Sequence, residues 1–185
     1  FKEYYPTDFI TSDRGILFLW QARMVFSAKE FTGKAPFKEI FIHPTILTRD
    51  GKRMSKSLGT GVNPLELIEK YGTDAVRFGL AYQTTSLQDM RFNKDVILMG
   101  QKFANKFWNI ARFILMKSGG QIYTEISQPS FEADAEGRSF LKKLSATTKQ
   151  VTENIAQYKF SEAAHALYDF IWHDFADKYI EYSKD

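Results

Sequence analysis

The sequence contains no cysteine, only three histidines and five prolines, and it has no uninterrupted apolar run of about 18 residues. The absence of cysteine excludes disulfides and thiolate metal sites, and it fits a reducing compartment. There is no candidate membrane span, and the amino end lacks the basic-then-apolar order of a secretion signal. We therefore expect a cytoplasmic protein with no membrane partner.

What the chain does contain is ample material for a core and a nearly balanced charge. Of its 185 residues, 44% are hydrophobic and 16% aromatic, which is enough to bury a substantial apolar interior. Its 25 basic and 22 acidic residues leave a net charge of +3. Such a small excess permits a polyanionic partner without requiring one.

The first third of the chain has the pattern of an α/β layer. Asp8–Thr11 and Glu39–His43 have strand composition, and Thr45–Thr48 can form another extended piece. Between the first two, Ile16–Ser27 (ILFLWQARMVFS) is too continuously apolar for a surface helix. This run predicts a buried helix.

The next stretch predicts two short helices. Asn63-Pro64 places a proline at the first position of a helix that ends at Gly72. Thr73 then caps a second helix over Asp74–Ala81. The residues Gln83–Phe92 have no clear period and are predicted to be a connection.

The last part of the chain predicts a helical bundle. Apolar residues recur at spacings of three and four in two stretches, and a polar amphipathic helix over 131–157 lies between them. The first stripe is Val96, Met99, Phe103, Phe107, Ile110 and Ile114, and the second is Phe160, Ala164, Leu167, Ile171, Phe175 and Tyr179. Ser118–Ser130 is a predicted loop, and Ser161 a predicted helix cap. Antiparallel packing would bury the apolar faces, so the predicted fold class is mixed α/β and mostly α.

A basic loop carries the clearest chemical signal. The stretch Gly51–Gly59 reads GKRMSKSLG. Its cations are Lys52, Arg53 and Lys56. Their mutual repulsion favours a bound anion, which the glycine backbone and the hydroxyls of Ser55 and Ser57 can approach closely, as in a phosphate site. Taken alone, such a stretch is also compatible with a solvated basic turn.

Its context distinguishes these readings. Residues 53–57, RMSKS, resemble the KMSKS signature of class I aminoacyl-tRNA synthetases, with arginine in place of the first lysine. Residues 59–78, GTGVNPLELIEKYGTDAVRF, resemble the continuation of that signature. Within the class the chain resembles the valyl-tRNA synthetase family, on the segments ILFLWQARM, FKEIFIH, QDMRF, NKFWNIARF and LYDFIWHDFADKYIEYSK. Isoleucyl and leucyl enzymes share the KMSKS region and stay open as alternatives.

The resemblance implies a fold, a reaction and a set of partners. Residues 1–61 would end a Rossmann-like catalytic domain, 62–94 would form a connecting α subdomain, and 95–185 would begin the anticodon-binding helical bundle. In that family ATP, with Mg²⁺, activates the amino acid, here valine, which is then transferred to tRNA. By resemblance Lys56 is the principal catalytic cation of activation, Met54 anchors its loop, and the parent enzyme is monomeric.

The resemblance also assigns roles to other side chains. The ATP-binding set is Lys56, Arg53, Ser55, Ser57 and His43, the last because it ends a strand beside the loop; it can equally be an ordinary strand-end histidine. Trp20 would contact the amino acid or lie in the core. Three cations on one long helix would contact tRNA or simply form its solvated face: Lys102, Lys106 and Arg112.

Several features depart from the family pattern. The HIGH signature is absent, and the first residues read like a loop from the middle of a domain, which indicates a fragment, so we expect this piece alone to be inactive. Gly15 stands where the pattern has aspartate, with Asp13 close by, and Pro44 stands where it has glycine. His165 and His173 lack the partners of a metal site, so no metal is predicted in the protein. A stand-alone tRNA-binding module is the alternative from another functional class.

Overall fold

The structure is a computed structural model that describes residues 2–55, 57–84, 88–120 and 134–184. The chain divides into two compact units. Unit 1 comprises Phe1–Val62 and Thr84–Phe92, and unit 2 comprises Asn63–Gln83 and Asn93–Asp185. Both predicted strands of the first third are present, and the mixed α/β, mostly α fold class is confirmed.

Unit 1 is built around a pair of parallel strands joined through a helix. Strand β1 (Thr7–Asp13) pairs with β2 (Phe37–His43) in a register that sets Asp13 opposite His43. Between them lie a 3-10 turn (Arg14–Ile16), a π-helical segment (Leu17–Gln21) and α1 (Ala22–Thr32). A parallel pair needs such a crossover, so this is a βαβ unit whose strand carboxyl ends share one edge.

The prediction of a buried helix over residues 16–27 is wrong in two respects. The run is a 3-10 turn, a π-helical segment and only then α-helix. Its large side chains are also exposed: Phe18 is 85%, Trp20 60% and Phe26 75% accessible. A segment that is apolar on every side needs neighbours on every side, and the two-stranded sheet can cover only one of them.

A second, very short parallel pair lies in the same unit. Strand β3 (Ile46–Leu47) pairs with β4 (Met90–Arg91). The prediction of an extended piece at residues 45–48 is confirmed, whereas the prediction of a plain connection over residues 83–92 missed β4. Two residues are too few for a period of two to show in the sequence, so only the long-range pairing reveals this strand.

Close helix packing defines the first part of unit 2. It contains α2 (Pro64–Tyr71), α3 (Thr73–Gln83) and α4 (Lys94–Lys117). A Cβ at Gly100 of α4 would lie 2.7 Å from the Ala75 carbonyl oxygen, and one at Gly79 of α3 would lie 3.1 Å from Val96 oxygen. These glycines therefore let the backbones of α3 and α4 approach each other.

The close approach also shifts the buried face of α4. The predicted stripe is confirmed at Phe103 and Ile110, which are buried. At the start of the helix the most buried residues are Ile97 and Gly100 rather than the predicted Val96 and Met99, while Phe107 is 51% exposed. The stripe followed large apolar side chains, and such a pattern cannot register a contact made by a glycine.

The remaining helices pack mainly on one another, and the last of them also packs on α4. They are α5 (Ala135–Ala156), α6 (Phe160–Asp169) and a π-helix (Phe170–Ile180) that continues α6. Asp134 at the start of α5 accepts a hydrogen bond from Tyr182, and Lys143 farther along pairs with Asp174. α5 is therefore antiparallel to α6 and its π-helical continuation, as predicted for this pair.

The π-helix changes which residues of the last stripe are buried. Its buried residues are Phe170, Ala176 and Ile180, and Ala176 and Ile180 form a core cluster with Ile110. The predicted positions Ile171 and Phe175 only flank that cluster. A π-helix has more residues per turn than an α-helix, so a stripe extrapolated with an α-helical period moves off the buried face.

Ser161 does not cap the last helix, contrary to the prediction. The helix begins one residue earlier, after Lys159, and Ser161 is buried inside its first turn. Its hydroxyl donates to the Tyr82 carbonyl oxygen at 2.8 Å. This bond connects α6 to the end of α3, a contact that the local sequence does not encode.

Candidate functional site

The carboxyl edge of the β1–β2 pair brings an acid and a histidine together. Asp13 and His43 are register partners at the last position of the two strands. Open α/β sheets bind their ligands at this edge. The His43 side chain is exposed, with Nδ1 3.2 Å from the Pro44 carbonyl oxygen.

The Asp13 carboxylate is held by neighbours on both oxygens. Oδ1 accepts a hydrogen bond from the Gly15 amide at 2.6 Å, and Oδ2 accepts one from the Thr45 hydroxyl at 2.8 Å. The Thr45 bond is the largest of the effects that hold the pKa of Asp13 below its ordinary value, followed by the Gly15 bond. Electrostatic interactions with Arg53 and His43 also lower the pKa of Asp13.

This geometry explains the glycine at position 15. A Cβ there would lie 2.9 Å from Asp13 Oδ1, closer than real Cβ contacts come. The Asp13 carboxylate thus lies where a side chain at position 15 would begin. A side chain at position 15 would therefore require the Asp13 carboxylate to rotate away.

The Asp13 contacts predict a pH dependence. Because the folded-state pKa is lowered, the stabilisation by this carboxylate is complete above the ordinary aspartate pKa of about 4 and is lost as the pH falls through the folded value. We expect Asp13→Asn to speed hydrogen exchange of the Gly15 amide about three- to tenfold at pH 7, the scale of one net hydrogen bond. Hydrogen-exchange mass spectrometry should show this difference shrinking below about pH 4; a constant difference would contradict the ionic contact.

A second acid, Asp89, lies just before β4. It accepts hydrogen bonds from one guanidinium nitrogen of Arg14 on both oxygens, at 2.9 and 3.0 Å. Its Oδ1 also accepts the Thr45 amide at 3.3 Å. No sequence pattern predicts a role for Arg14 or Thr45. The only sequence signal for Asp89 is its place in the QDMRF segment, which resembles the family.

The basic loop leaves and rejoins this region through backbone hydrogen bonds. Leu47 of β3 forms an antiparallel bridge with Arg53, and the Thr48 amide donates to the Lys52 carbonyl oxygen at 2.8 Å. Gly51 has φ +83°, in the left-handed region that favours glycine. A Cβ there would lie 3.3 Å from the Arg91 guanidinium of β4. These contacts close the turn at residues 48–52 and fix the start of the basic loop.

The tip of the loop has its own internal hydrogen bonds. The Ser55 amide donates to the Thr60 hydroxyl at 2.9 Å, and the Thr60 amide donates to the Ser55 carbonyl oxygen at 3.1 Å. The hydroxyls of Ser55 and Ser57 are 2.8 Å apart. Met54 is half-buried. Lys56, the predicted catalytic cation, lies outside the described residues.

The predicted ATP and amino-acid residues are thus brought together only in part. Arg53 and His43 both act on Asp13, so they share its surroundings. Ser55 and Ser57 lie at the loop tip. Trp20 is 60% exposed on the π-helical segment of unit 1.

The three predicted tRNA contacts on α4 have different surroundings. Lys102 is exposed. Lys106 forms an ion pair with Asp177 at 2.7 Å and lies 4.9 Å from the centre of the Trp172 ring. Arg112 lines a surface cavity of about 300 Å³ whose other lining residues are Trp108, Ala111, Leu115 and Met116. Since Lys106 is already paired, Lys102 and Arg112 are the more available cations.

The described part of the chain offers no metal site and no membrane span. Among those residues no group of three or more histidine, cysteine, aspartate or glutamate side chains is placed to hold a metal ion. His165 instead lies 2.7 Å from the Ser161 carbonyl oxygen and stacks on Tyr82. None of the described helices is both long and apolar enough to cross a bilayer.

Parallel strands that present polar side chains at their carboxyl edge, beside a glycine-flanked basic loop, define an α/β ligand-binding domain, here followed by a helical bundle. The chain belongs to the class I tRNA synthetases: residues 1–93 match the family model "tRNA synthetases class I (I, L, M and V)". Residues 137–185 match the model "Anticodon-binding domain of tRNA ligase".

Curated relatives agree with this membership. The chain is 44% identical over 184 residues to the valine–tRNA ligases of Bacillus cereus and Bacillus subtilis, and 43% identical to that of Geobacillus stearothermophilus. These alignments cover 100% of this chain and 21% of each relative. The chain therefore spans about a fifth of the length of the curated relatives it matches.

Solved structures share the fold. A LeuRS–tRNA–LeuAMS ternary complex from Agrobacterium radiobacter matches with a TM-score of 0.80 at 19% identity, over 96% of this chain and 23% of that chain. Mycobacterium tuberculosis methionyl-tRNA synthetase with methionyl-adenylate matches with a TM-score of 0.75 at 24% identity, over 100% of this chain and 36% of that chain. At these identities the likeness concerns the fold alone.

Proposed function

We propose that this chain is part of an enzyme that activates valine with ATP and transfers it to tRNA. The observation that carries the proposal is the 44% identity to valine–tRNA ligases along the whole of the chain. The basic loop supports the same reaction, because Arg53 at its start is bridged to Leu47 and acts on Asp13 at the carboxyl end of β1. Residues 1–61 would complete the catalytic domain, 62–94 would connect, and 95–185 would begin the anticodon-binding bundle.

In this proposal the loop acts on the phosphates of ATP. A carboxylate oxygen of the amino acid forms a bond to the α-phosphorus while the bond to pyrophosphate breaks, so negative charge grows on the departing phosphates. Lys56 neutralises that charge, and a contact that strengthens as charge grows lowers the barrier. Arg53, Ser55, Ser57 and His43 would bind and orient the nucleotide.

Two further ligands accompany this reaction. Mg²⁺ would enter with ATP and help neutralise its phosphates; among the described residues no acidic cluster is placed to hold it. Trp20 would contact the amino acid in the parent enzyme, which we place in the cytoplasm as a monomer. Its exposed ring is available to a ligand or to a further part of the enzyme.

The experiment that tests this function measures exchange of pyrophosphate into ATP by the full-length protein that contains this chain. We expect exchange to depend on valine and to be weak with isoleucine or leucine. If isoleucine or leucine drives the exchange instead, the reaction type stands and that amino acid is the substrate in place of valine. No exchange with any of the three would refute the proposal.

A second candidate function, a tRNA-binding module, is favoured by the anticodon-binding match over residues 137–185. Here the α4 cations would neutralise RNA phosphates. We expect Lys102→Ala with Arg112→Ala to weaken tRNA binding by the full-length protein about tenfold and to reduce the slope of binding against salt by one to two.

The control for this prediction is Lys29→Ala on α1, an exposed lysine that lies outside α4 and outside residues 137–185, which match the anticodon-binding model. Filter binding at several salt concentrations would report all three proteins. An unchanged salt slope in the double variant would remove these two residues from the tRNA surface. Full tRNA binding without any amino-acid-dependent exchange would favour the module over the enzyme.

A further inference from the structure

We propose that Thr45 and Asp89 are positioning residues that hold the base of the basic loop at the carboxyl end of β1. The inference rests on the proposed function, because it concerns how the same site reaches its catalytic geometry. Neither residue is assigned a contact with substrate. Their effect acts through the loop that carries Lys56.

Thr45 forms hydrogen bonds in three directions. Its amide donates to Asp89 Oδ1 at 3.3 Å, its hydroxyl donates to Asp13 Oδ2 at 2.8 Å, and its carbonyl oxygen accepts the Met90 amide at 2.9 Å. It therefore connects the end of β1 with the start of β4. Because it is half-buried, these bonds are partly shielded from competing water.

Asp89 closes this set of contacts into a ring. Its carboxylate is paired with Arg14 at 2.9 Å, and Arg14 directly follows Asp13 in the chain. The ring runs from Asp13 to Thr45, to Asp89, to Arg14 and back through one peptide bond. About a third of the Asp89 side chain is exposed, so the ion pair alone contributes little stability. A closed ring nevertheless fixes geometry, since no member can shift without straining two contacts.

The ring holds the start of the basic loop in position. Strand β3 begins at Ile46, one residue after Thr45. Leu47 then forms a bridge with Arg53, a residue near the start of the basic loop. The Phe92 amide also donates to the Leu47 carbonyl oxygen at 2.9 Å, so β4 supports the same point. The start of the loop, up to Arg53, is therefore fixed within a few residues of the ring, and Lys56 follows Arg53 by three residues.

This placement matters because adenylyl transfer depends on distance. Reacting groups must be held near 3 to 3.5 Å, and a misplacement of about 1 Å can cost a hundredfold in rate. Loosening the ring should reduce contacts that are complete only in the transition state, which lowers kcat more than it changes KM. A purely structural role would instead lower stability and leave kcat unchanged.

The first test replaces Thr45 in the full-length protein. Thr45→Val keeps the backbone bonds and the branched shape but removes the hydroxyl that reaches Asp13. We expect kcat for valine-dependent exchange to fall about tenfold, with the KM for ATP within about threefold. Thr45→Ser, which restores a hydroxyl, should recover kcat to within about threefold of the wild type.

A matched control lies in the same unit. The Thr32 hydroxyl likewise donates a hydrogen bond, here to the Ala28 carbonyl oxygen at 2.7 Å, at the end of α1 and outside the ring. Thr32→Val should leave kcat and KM unchanged. A similar fall in kcat for Thr32→Val and Thr45→Val would overturn the proposal, because the loss would then follow from any missing hydroxyl.

The second test approaches the ring from its exposed side, where substitutions leave the buried structure intact. Arg14→Ala and Asp89→Asn should each lower kcat several-fold, and the double variant should lose little more than the worse single one, because both break the same link. Unchanged kcat in Thr45→Val and in these variants would overturn the positioning role while valine-dependent exchange by the wild type still stands. No exchange by the wild type would overturn the proposed function, and this inference with it.

Discussion

Replacing Lys56 by alanine is expected to lower valine-dependent pyrophosphate exchange about a hundredfold at saturating substrates. The reason is electrostatic: one preorganised cation that meets the charge developing on the departing phosphates contributes on the order of 3 kcal/mol to the barrier. The Leu47–Arg53 bridge fixes the chain three residues before Lys56, and hydrogen bonds between Ser55 and Thr60 join the residues on its two sides. Hence the alanine should remove a charge without opening the loop.

Two controls separate this effect from a general loss of positive charge. Lys142→Ala on α5 removes the same charge from an exposed site in unit 2 and should leave exchange unchanged. Lys56→Arg keeps the charge but presents a planar group and should restore only part of the rate. Equal activity of Lys56→Ala and the wild type would remove Lys56 from the catalytic step.

Replacing Gly100 by alanine is expected to weaken the contact between α3 and α4 by about 2 kcal/mol. The new Cβ would lie 2.7 Å from the Ala75 carbonyl oxygen and 3.4 Å from the Ala75 Cα. Both are backbone atoms, which cannot rotate away as a flexible side chain does, so the helices must move apart. Ile97, fully buried in the same helix, would lose packing as they do.

Hydrogen-exchange mass spectrometry of the full-length protein measures this effect locally. The most protected amides of α3 and α4 should exchange about thirtyfold faster, which corresponds to 2 kcal/mol. Gly61→Ala is the control, because a Cβ at Gly61 meets nothing within 4 Å. Unchanged protection in Gly100→Ala would show that the helices can absorb a methyl group at this crossing.

The sequence predicts this fold best where a local signal suffices. Asn63 with Pro64 begins α2, and Asn63 does accept the Leu65 amide as a helix cap. The strand at β2 and the long helices follow from composition and period alone. These elements depend on neighbours in the chain, which the sequence displays directly.

The predictions failed where a distant contact decides the outcome. Ser161 looks like a cap, but its hydroxyl bonds to Tyr82, 79 residues away. The apolar run at residues 16–27 indicates burial, but Phe18, Trp20 and Phe26 within it are exposed. The π-helix after Asp169 alters the helical period, although its sequence contains no proline or glycine that would predict the change.

The candidate site divides in the same way. The basic loop could be predicted because its cations, serines and glycines are contiguous. The ring of hydrogen bonds behind the loop could not be predicted. Arg14, Thr45 and Asp89 lie far apart in the sequence and contact one another only in the folded chain. Sequence therefore reveals the group proposed to meet the phosphates, whereas the structure reveals what supports it.

The most direct test of the account is a single-turnover measurement of valyl-adenylate formation by the full-length protein, with and without Lys56→Ala. We predict that the rate constant at saturating ATP falls about a hundredfold while the dissociation constant for ATP changes by less than about threefold, because the contact is made fully only in the transition state. An unchanged rate constant, with the whole effect appearing as weaker ATP binding, would contradict it.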